Sequence, residues 1–256
     1  MRHTKMLAMI RERQEIKVDE LAGFFGVSLM TIRRDLQMLE DRGMISRFYG
    51  GATVNPPIAP AAEKGDVALY RRLIARCAAS LVQDGDHLFI NGSSTALGLL
   101  DYVGDKAVHV FTNNGGAVNR KFPPGVAVTI SGGTLLGQRH IMTGDCTMRN
   151  LLMVHAERAF LGCVGISSDG EILCGIPTEL GINETMIGHA REYCILADHT
   201  KIGKTGTYAS CSLEKMGTVI TDEKAPAGVV EQLRAIGMTV IQVGRSDFPD
   251  MDPTAG

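Results

Sequence analysis

The amino-acid sequence predicts an α/β protein in two parts, a small helical N-terminal domain and a larger domain with a mostly parallel sheet. Three observations support this prediction. Apolar residues recur at helical spacing up to residue 54, a stretch with three prolines in ten residues follows, and apolar runs of strand length then alternate with helical segments. We therefore expect domains at residues 1–54 and 66–256, joined by a linker at residues 55–65.

The composition is that of an ordinary globular protein. Of the 256 residues, 45% are hydrophobic and 21% are charged, and no segment approaches the roughly 18 uninterrupted apolar residues that a membrane helix needs. Charges break up the N-terminal residues before a signal-peptide core can form, so we expect a cytoplasmic protein that does not engage membranes. The six cysteines form no C-x-x-C pair, and we expect reduced thiols, no metal site and no cofactor.

The net charge of −2 divides unevenly between the two parts. Residues 1–54 carry nine Lys and Arg against seven Asp and Glu, a charge of +2, whereas residues 55–256 carry seventeen against twenty-one, a charge of −4. The asymmetry has the sign expected of an N-terminal domain that meets nucleic acid. Phosphate attraction depends on where the cations lie on the surface, so the total charge alone decides nothing.

Residues 18–36 have the order of a helix-turn-helix. The first helix is expected to end at Gly26, which can adopt the left-handed conformation of a tight turn, and Ser28 is placed to cap the next helix by accepting a backbone N–H bond. A helix that starts there would lay its first turn in the major groove of DNA. We expect its inward face to consist of Leu29, Ile32, Leu36 and Leu39.

The outward side of this helix carries the predicted DNA contacts, which are Ser28, Thr31, Arg33 and Arg34. Arginine can bond a guanine edge with two parallel hydrogen bonds, and threonine can contact phosphate or a thymine methyl group. The run at residues 44–54 predicts a hairpin or wing, with Arg47 and Tyr49 at the DNA backbone. The alternative is a solvated helix face whose arginines pair with Asp35, Glu40 or Asp41.

The segment TIRRDLQMLEDRGMISRFYGGA resembles the signature of the DeoR family of bacterial regulators, whose N-terminal domains carry a T-I-R-R-D-L core and an R-x-x-G-G-A wing. The resemblance covers residues 1–54 closely. Tyr49 departs from it, because the family often has His before the Gly-Gly pair. The resemblance implies a winged helix-turn-helix that binds a double-stranded DNA operator, in a regulator that assembles as a homo-oligomer.

After the linker, strand and helix patterns alternate, which predicts a parallel sheet covered by helices. The expected strands lie at residues 87–91, 108–112, 126–131, 159–165, 193–197, 217–221 and 239–243. The expected helices lie at residues 68–83, 94–103, 147–155, 179–191 and 227–236.

Polar and glycine-rich residues follow four of these strands. The first strand runs into Asn91, Gly92, Ser93, Ser94 and Thr95, a turn whose N–H groups and hydroxyls suit a phosphate group; the alternative is a hydrophilic turn in which Ser93 or Ser94 caps the helix. The other strand ends supply Thr112, Asn113, Gly132, Gly133, Asp198 and Lys201. Because open parallel sheets bind ligands at the carboxyl ends of their strands, we expect one shared crevice.

Within that crevice, Asn113 and Asp198 are candidates to bond sugar hydroxyls, and Lys201 supplies a cation for phosphate. Arg139 and His140 lie in the segment at residues 133–144, which is interpreted as a polar loop or as a further wall of the crevice.

This second part resembles, more loosely, the sensor domain of the same family, which shares its fold with ribose-5-phosphate isomerase and responds to phosphorylated sugars or related intermediates. The resemblance adds Glu179, on an E-x-x-x-K-x-x-M helix, to the effector site. Two positions depart from the pattern. Asn91 or Ile90 stands where an acidic residue is common, and Asn183 stands where the helix often has Lys.

The resulting hypothesis is a repressor of carbohydrate-metabolism genes, controlled by a phosphorylated sugar. Two alternatives stay open. One is a sugar-phosphate isomerase-like enzyme with a DNA-binding head, whose general base would be Asp198 or Glu179; the lack of an acidic residue in the phosphate loop argues against turnover. The other is a regulator whose C-terminal domain only oligomerises.

Overall fold

The computed structural model describes residues 2–13, 15–41, 45–48, 50–54, 66–137, 139–210 and 217–251. The chain divides into two compact units, Met1–Ala62 and Glu63–Gly256. The predicted linker at residues 55–65 and the predicted DNA contact Tyr49 lie outside the described residues. No helix in the described ranges is long and apolar enough to cross a membrane.

In its described residues, the first unit combines three helices with a small antiparallel sheet. The helices are α1 (Arg2–Arg13), α2 (Val18–Phe25) and α3 (Leu29–Asp41), and the strands are β1 (Glu15–Lys17), β2 (Ile45–Phe48) and β3 (Gly51–Val54). Strands β2 and β3 form the predicted wing, and β1 joins β3 on its other side, so the sheet order is β1-β3-β2. The winged helix-turn-helix is therefore confirmed, with one strand that the sequence did not indicate.

The core of this unit is formed by one face of each helix and by the sheet. Met6 and Ile10 of α1 and Leu21 of α2 are fully buried against Ile32 and Leu36 of α3. The prediction for Leu29 is wrong, because this side chain is 42% exposed. Leu29 occupies the first position of α3, and the buried stripe of that helix starts one turn later at Ile32.

The second unit is built on a seven-stranded parallel sheet, with the order β15-β14-β12-β9-β4-β5-β6. Its strands are β4 (His87–Ile90), β5 (Val108–Thr112), β6 (Val126–Ile130), β9 (Ala156–Gly162), β12 (Ala190–Leu196), β14 (Thr218–Asp222) and β15 (Thr239–Val243). Every strand that the apolar runs predicted is present in this sheet. The predicted fold class is thus confirmed.

Helices cover both faces of this sheet. They are α4 (Asp66–Ser80), α5 (Ser94–Gly98), α6 (Asp145–Leu152), α7 (Pro177–Gly188) and α8 (Ala227–Ala235). Alternate residues of β4 point to opposite faces, so Leu88 and Ile90 join a cluster with α4 and α5, whereas Phe89 joins a cluster with α7 and α8. Burial on both faces explains the continuous apolar runs in the sequence.

Within the described part of the second unit, five short strands lie outside the main sheet. A hairpin is formed by β7 (Thr134–Leu136) and β8 (Ile141–Thr143). A three-stranded antiparallel sheet is formed by β10 (Gly165–Ile166), β11 (Ile172–Cys174) and β13 (Tyr208–Ser210). These elements place further side chains beside the carboxyl ends of the parallel strands.

Candidate functional site

The start of α3 has the predicted cap and turn. Gly26 ends α2 in the left-handed conformation, with φ 63° and ψ 34°, and its N–H donates to the Ala22 carbonyl. The Ser28 Oγ accepts a bond from the Thr31 N–H at 3.2 Å and lies 2.9 Å from the Thr31 Oγ1. Both predictions for the turn are confirmed, and the cap fixes where the helix starts.

The outward surface of α3 begins with these residues. Ser28, Arg33 and Arg34 are exposed and Thr31 is half-buried, so the structure brings them together on one helix. Arg47 lies in β2, although its side chain is outside the described set. Exposed arginines in the first turns of a capped helix match the geometry with which such helices read base edges.

Asp35, one of the acids that the sequence offered as partners of the outward arginines, contacts two basic residues of α1. It is buried, with one oxygen 2.7 Å from the Arg2 Nε and the other 3.0 Å from the His3 Nε2. Burial alone would raise the pKa of Asp35, but the bonds from Arg2 and His3 and their charges lower it below its usual value. Asp35 therefore fastens α1 to α3.

In the second unit, a cavity of about 260 Å³ lies at the carboxyl ends of β4, β5 and β9. Eight residues that the sequence assigned to the effector line it, namely Asn91, Gly92, Ser93, Ser94, Thr95, Asn113, Glu179 and Lys201. The expectation that several strand ends share one crevice thus agrees with where these side chains lie.

Four predicted effector residues do not line the cavity. The Thr112 hydroxyl donates to the Ile90 carbonyl at 2.6 Å and accepts from the Asn114 N–H at 3.0 Å, which joins the ends of β4 and β5. The Asp198 carboxylate has 0% exposure and bonds the Arg71 Nε at 2.7 Å. Both residues support the wall of the cavity and do not face its interior.

Gly132 and Gly133 are placed in the same supporting way. The Thr147 hydroxyl donates to the Gly132 carbonyl at 2.6 Å. Gly133 has φ +106°, and a Cβ there would lie 2.2 Å from the Thr147 Oγ1. These glycines allow the chain to turn closely past α6 at the base of the β7–β8 hairpin.

Asn91 uses its whole side chain within the protein. Its Oδ1 accepts from the N–H groups of Ser93 at 3.2 Å and Gly162 at 3.0 Å. Its Nδ2 donates to the Gly162 carbonyl at 2.9 Å and to the Asn183 Oδ1 at 3.0 Å. Asn91 thereby ties the predicted phosphate turn to the end of β9.

The turn after β4 also contains the capping contact that the sequence left as an alternative. The Ser93 Oγ accepts from the Ala96 N–H at 3.2 Å, so Ser93 caps α5. Because α5 has only five residues, its dipole contributes little charge. An anion in the cavity would depend mainly on basic side chains.

Three such cations line the cavity, Arg71, Arg139 and Lys201. Arg71 is bonded to Asp198, and Lys201 has no ion-pair partner among the residues that the structure describes. Burial by itself would raise the pKa of Asp198, but bonds from Thr200 and Arg71 lower it, so Asp198 stays ionised. Arg71 was missed by sequence reasoning, because nothing in the pattern of α4 marks it.

The end of β9 supplies another part of the wall that the sequence did not indicate. Gly162, Cys163 and Val164 line the cavity, and a Cβ at Gly162 would lie 2.0 Å from the Ser93 Oγ. A glycine closing an apolar strand was the available signal. Burial raises the pKa of Cys163 to about 12 and that of Cys174 to about 11, so both thiols stay protonated at neutral pH.

Asn113 lines the cavity and has a buried side-chain acceptor that no described residue satisfies. Its side chain is 1% exposed, its Nδ2 donates to the Met142 carbonyl at 3.1 Å, and its Oδ1 has no partner among the described residues. A buried acceptor without a partner costs about 1–3 kcal/mol. A hydroxyl donor in the cavity would remove that cost.

Comparison with known proteins adds two family matches. The model of the DeoR-like helix-turn-helix domain matches residues 2–57, and the model of the DeoR C terminal sensor domain matches residues 68–223.

Full-length relatives are similar along nearly the whole chain. The HTH-type transcriptional repressor GlcR of Bacillus subtilis (strain 168) is 29% identical over 250 residues, which cover 96% of each chain. The glycerol-3-phosphate regulon repressor of Escherichia coli (strain K12) is 27% identical over 242 residues, covering 91% of this chain and 94% of that protein. Among solved structures, ribose 5 phosphate isomerase A from Neisseria gonorrhoeae covers 54% of each chain at 15% identity and a TM-score of 0.37.

Proposed function

The chain belongs to the DeoR family of transcriptional regulators, and from this premise we propose that it represses carbohydrate-metabolism genes under the control of a phosphorylated sugar or a related metabolite. Its N-terminal unit binds operator DNA. The cavity of its second unit binds the effector, and the occupied and empty states differ in operator affinity.

The DNA-binding part of the proposal is supported by the capped start of α3. Ser28 precedes this helix as its cap, Thr31, Arg33 and Arg34 lie in its first two turns, and the β2–β3 wing follows. We assign base contacts to Arg33 and Arg34 and backbone contacts to Ser28, Thr31, Arg47 and Tyr49. Because each chain offers one reading helix, a homo-oligomer would match an operator with repeated half-sites.

The effector part is supported by the chemistry of the cavity. Lys201 offers a cation, the turn at residues 91–95 offers hydroxyl and N–H groups, and the Asn113 Oδ1 needs a donor. A phosphorylated polyol would satisfy all three. At about 260 Å³, the cavity lies near the lower end of the roughly 300–1,000 Å³ of small-molecule sites. One relative is named for the regulon of glycerol-3-phosphate, itself a phosphorylated metabolite.

The proposal is tested with the purified full chain in two measurements. Genomic DNA fragments that the protein retains are sequenced, and affinity for the enriched fragment is then measured with and without glucose 6-phosphate, glycerol 3-phosphate and their unphosphorylated parents. Thermal shift is recorded for the same compounds. Retention of specific fragments with a phosphate-dependent change in affinity supports the proposal. Specific retention without any ligand effect would leave a regulator whose second unit only oligomerises.

A further inference from the structure

The β7–β8 hairpin extends an arginine to the opposite rim of the cavity. Arg139 follows β7 and is 46% exposed, and its Nη1 lies 3.9 Å from the Glu179 Oε2 on α7. A Cβ at Gly175 would lie 2.3 Å from the same Nη1, so the guanidinium packs against the Gly175 backbone. Arg139 thus contacts both α7 and the residues that lead into it.

The contact between Arg139 and Glu179 is a weak one. Its 3.9 Å exceeds the 2.7–2.9 Å of a charge-assisted hydrogen bond, and the Glu179 Oε2 already accepts from the Gly175 N–H at 2.9 Å. A phosphate group in the cavity could accept two parallel bonds from the guanidinium, which Glu179 does not. Arg139 is therefore placed to exchange Glu179 for an anionic ligand.

The same hairpin rests on the residue with the unsatisfied acceptor. The Met142 N–H donates to the Asn113 carbonyl at 2.7 Å, and the Asn113 Nδ2 donates to the Met142 carbonyl at 3.1 Å. The Gly115 N–H donates to the His140 carbonyl at 2.5 Å. A ligand hydroxyl that donates to the Asn113 Oδ1 would therefore bind the same side chain that holds β8.

We infer that Arg139 is a phosphate-binding residue, and that the β7–β8 hairpin is the part of the second unit that responds to the effector. This rests on the proposed function and deepens it. The Nε of Arg71 donates to Asp198, and we assign the ligand phosphate mainly to the other two cations of the cavity lining, Lys201 and Arg139. The ligand class is a phosphomonoester with a hydroxyl for Asn113, because a neutral sugar cannot draw Arg139 away from Glu179.

The test measures binding of inorganic phosphate and glucose 6-phosphate to the full chain by calorimetry. Arg139→Ala should weaken binding of both by roughly 10- to 100-fold, the loss of one or two charge-assisted bonds, and Arg139→Lys should recover part of it. Arg191→Ala is the matched control, because Arg191 is exposed at the amino end of β12, the opposite edge of the sheet. It removes the same charge and should leave both affinities unchanged.

A double-mutant cycle distinguishes an exchange of partners by Arg139 from simple repulsion between Glu179 and the ligand. Glu179→Gln should tighten phosphate binding in the wild-type background, because the competing carboxylate is gone. If Arg139 exchanges partners, most of that gain disappears in the Arg139→Ala background. An equal gain in both backgrounds would mean that Glu179 only repels the ligand, and would overturn the exchange.

Hydrogen exchange reports on the hairpin itself. Saturating glucose 6-phosphate should change the exchange rates of the Met142 and Gly115 amides, which hold β8, and Arg139→Ala should abolish the change. Full phosphate affinity in Arg139→Ala would overturn the role of Arg139 and leave the proposed effector intact. No binding of either compound to the wild type would overturn the phosphate effector and this inference together.

Discussion

Asn91 donates a hydrogen bond to Asn183, with 3.0 Å between the Nδ2 of the first and the Oδ1 of the second. Asn183 is one position at which the sequence departs from the charged pattern that the DeoR resemblance implies, and the other is Asn91 or Ile90, depending on how the phosphate loop is aligned. With the loop aligned on Asn91, the two departures meet in one buried contact. In that alignment an acid and a base are replaced together by a neutral amide pair.

The first prediction concerns this pair. Asn91→Asp puts a carboxylate oxygen where the Nδ2 now donates to the Gly162 carbonyl and to Asn183. The free energy of unfolding should fall by about 2–3 kcal/mol, because a buried charge then faces two acceptors. Urea denaturation measures the loss. Adding Asn183→Lys supplies a donor and should recover at least half of it, whereas a double variant no more stable than Asn91→Asp would show that the two sites are independent.

A second prediction concerns DNA reading by α3. Arg33→Ala combined with Arg34→Ala should lower affinity for the enriched genomic fragment by about 100-fold or more, since each base contact is worth roughly 1–3 kcal/mol. Fluorescence anisotropy with labelled DNA measures it. The control is Lys5→Ala with Lys17→Ala, two exposed cations of the same unit. Equal losses of DNA affinity in the two double variants would show that the arginines of α3 contribute only nonspecific electrostatic attraction.

The Ser28 cap gives a third prediction. Ser28→Ala removes the acceptor of the Thr31 N–H and should destabilise the first unit by about 1 kcal/mol. Ser28→Asp retains an acceptor and should stay close to the wild type. Circular dichroism during urea denaturation measures both. An alanine variant as stable as the aspartate variant would exclude the capping bond as a stabilising contact.

Asp35 makes the stability of the first unit depend on pH in the acidic range. Its pKa in the folded protein lies below the ordinary 3.8, so the unfolded chain takes up the proton first as pH falls. The stabilisation is complete above the unfolded value and is lost as the pH falls through the folded value. Denaturation is measured at several pH values below about 5. The free energy of unfolding should fall less steeply with decreasing pH for Asp35→Asn than for the wild type. Parallel curves would contradict the assignment.

The fifth prediction tests the cation in the cavity. Lys201→Met keeps an apolar stem but removes the charge, and the thermal stabilisation by glucose 6-phosphate should fall to a small fraction of the wild-type value. Lys121→Met, at an exposed position outside the cavity lining, is the control and should respond like the wild type. Unchanged stabilisation of Lys201→Met would move the phosphate to another part of the cavity.

Local patterns in the sequence determined much of the architecture. The spacing of Ile32, Leu36 and Leu39 predicted the buried face of α3, and Gly26 and Ser28 predicted its turn and cap, because these effects act between residues a few positions apart. The apolar runs predicted every strand of the parallel sheet, since strands buried on both faces are continuously hydrophobic.

Tertiary structure alone decided the walls of the cavity. Arg71 meets Asp198 across 127 positions of sequence, and Arg139 reaches Glu179 from a hairpin with strands of only three residues. Neither contact leaves a periodic pattern. The sequence could indicate which strand ends carry polar side chains. Only packing separates the residues that line the cavity, such as Asn113 and Lys201, from those that hold its wall, such as Asp198. This division depends on contacts between segments that are distant in the sequence.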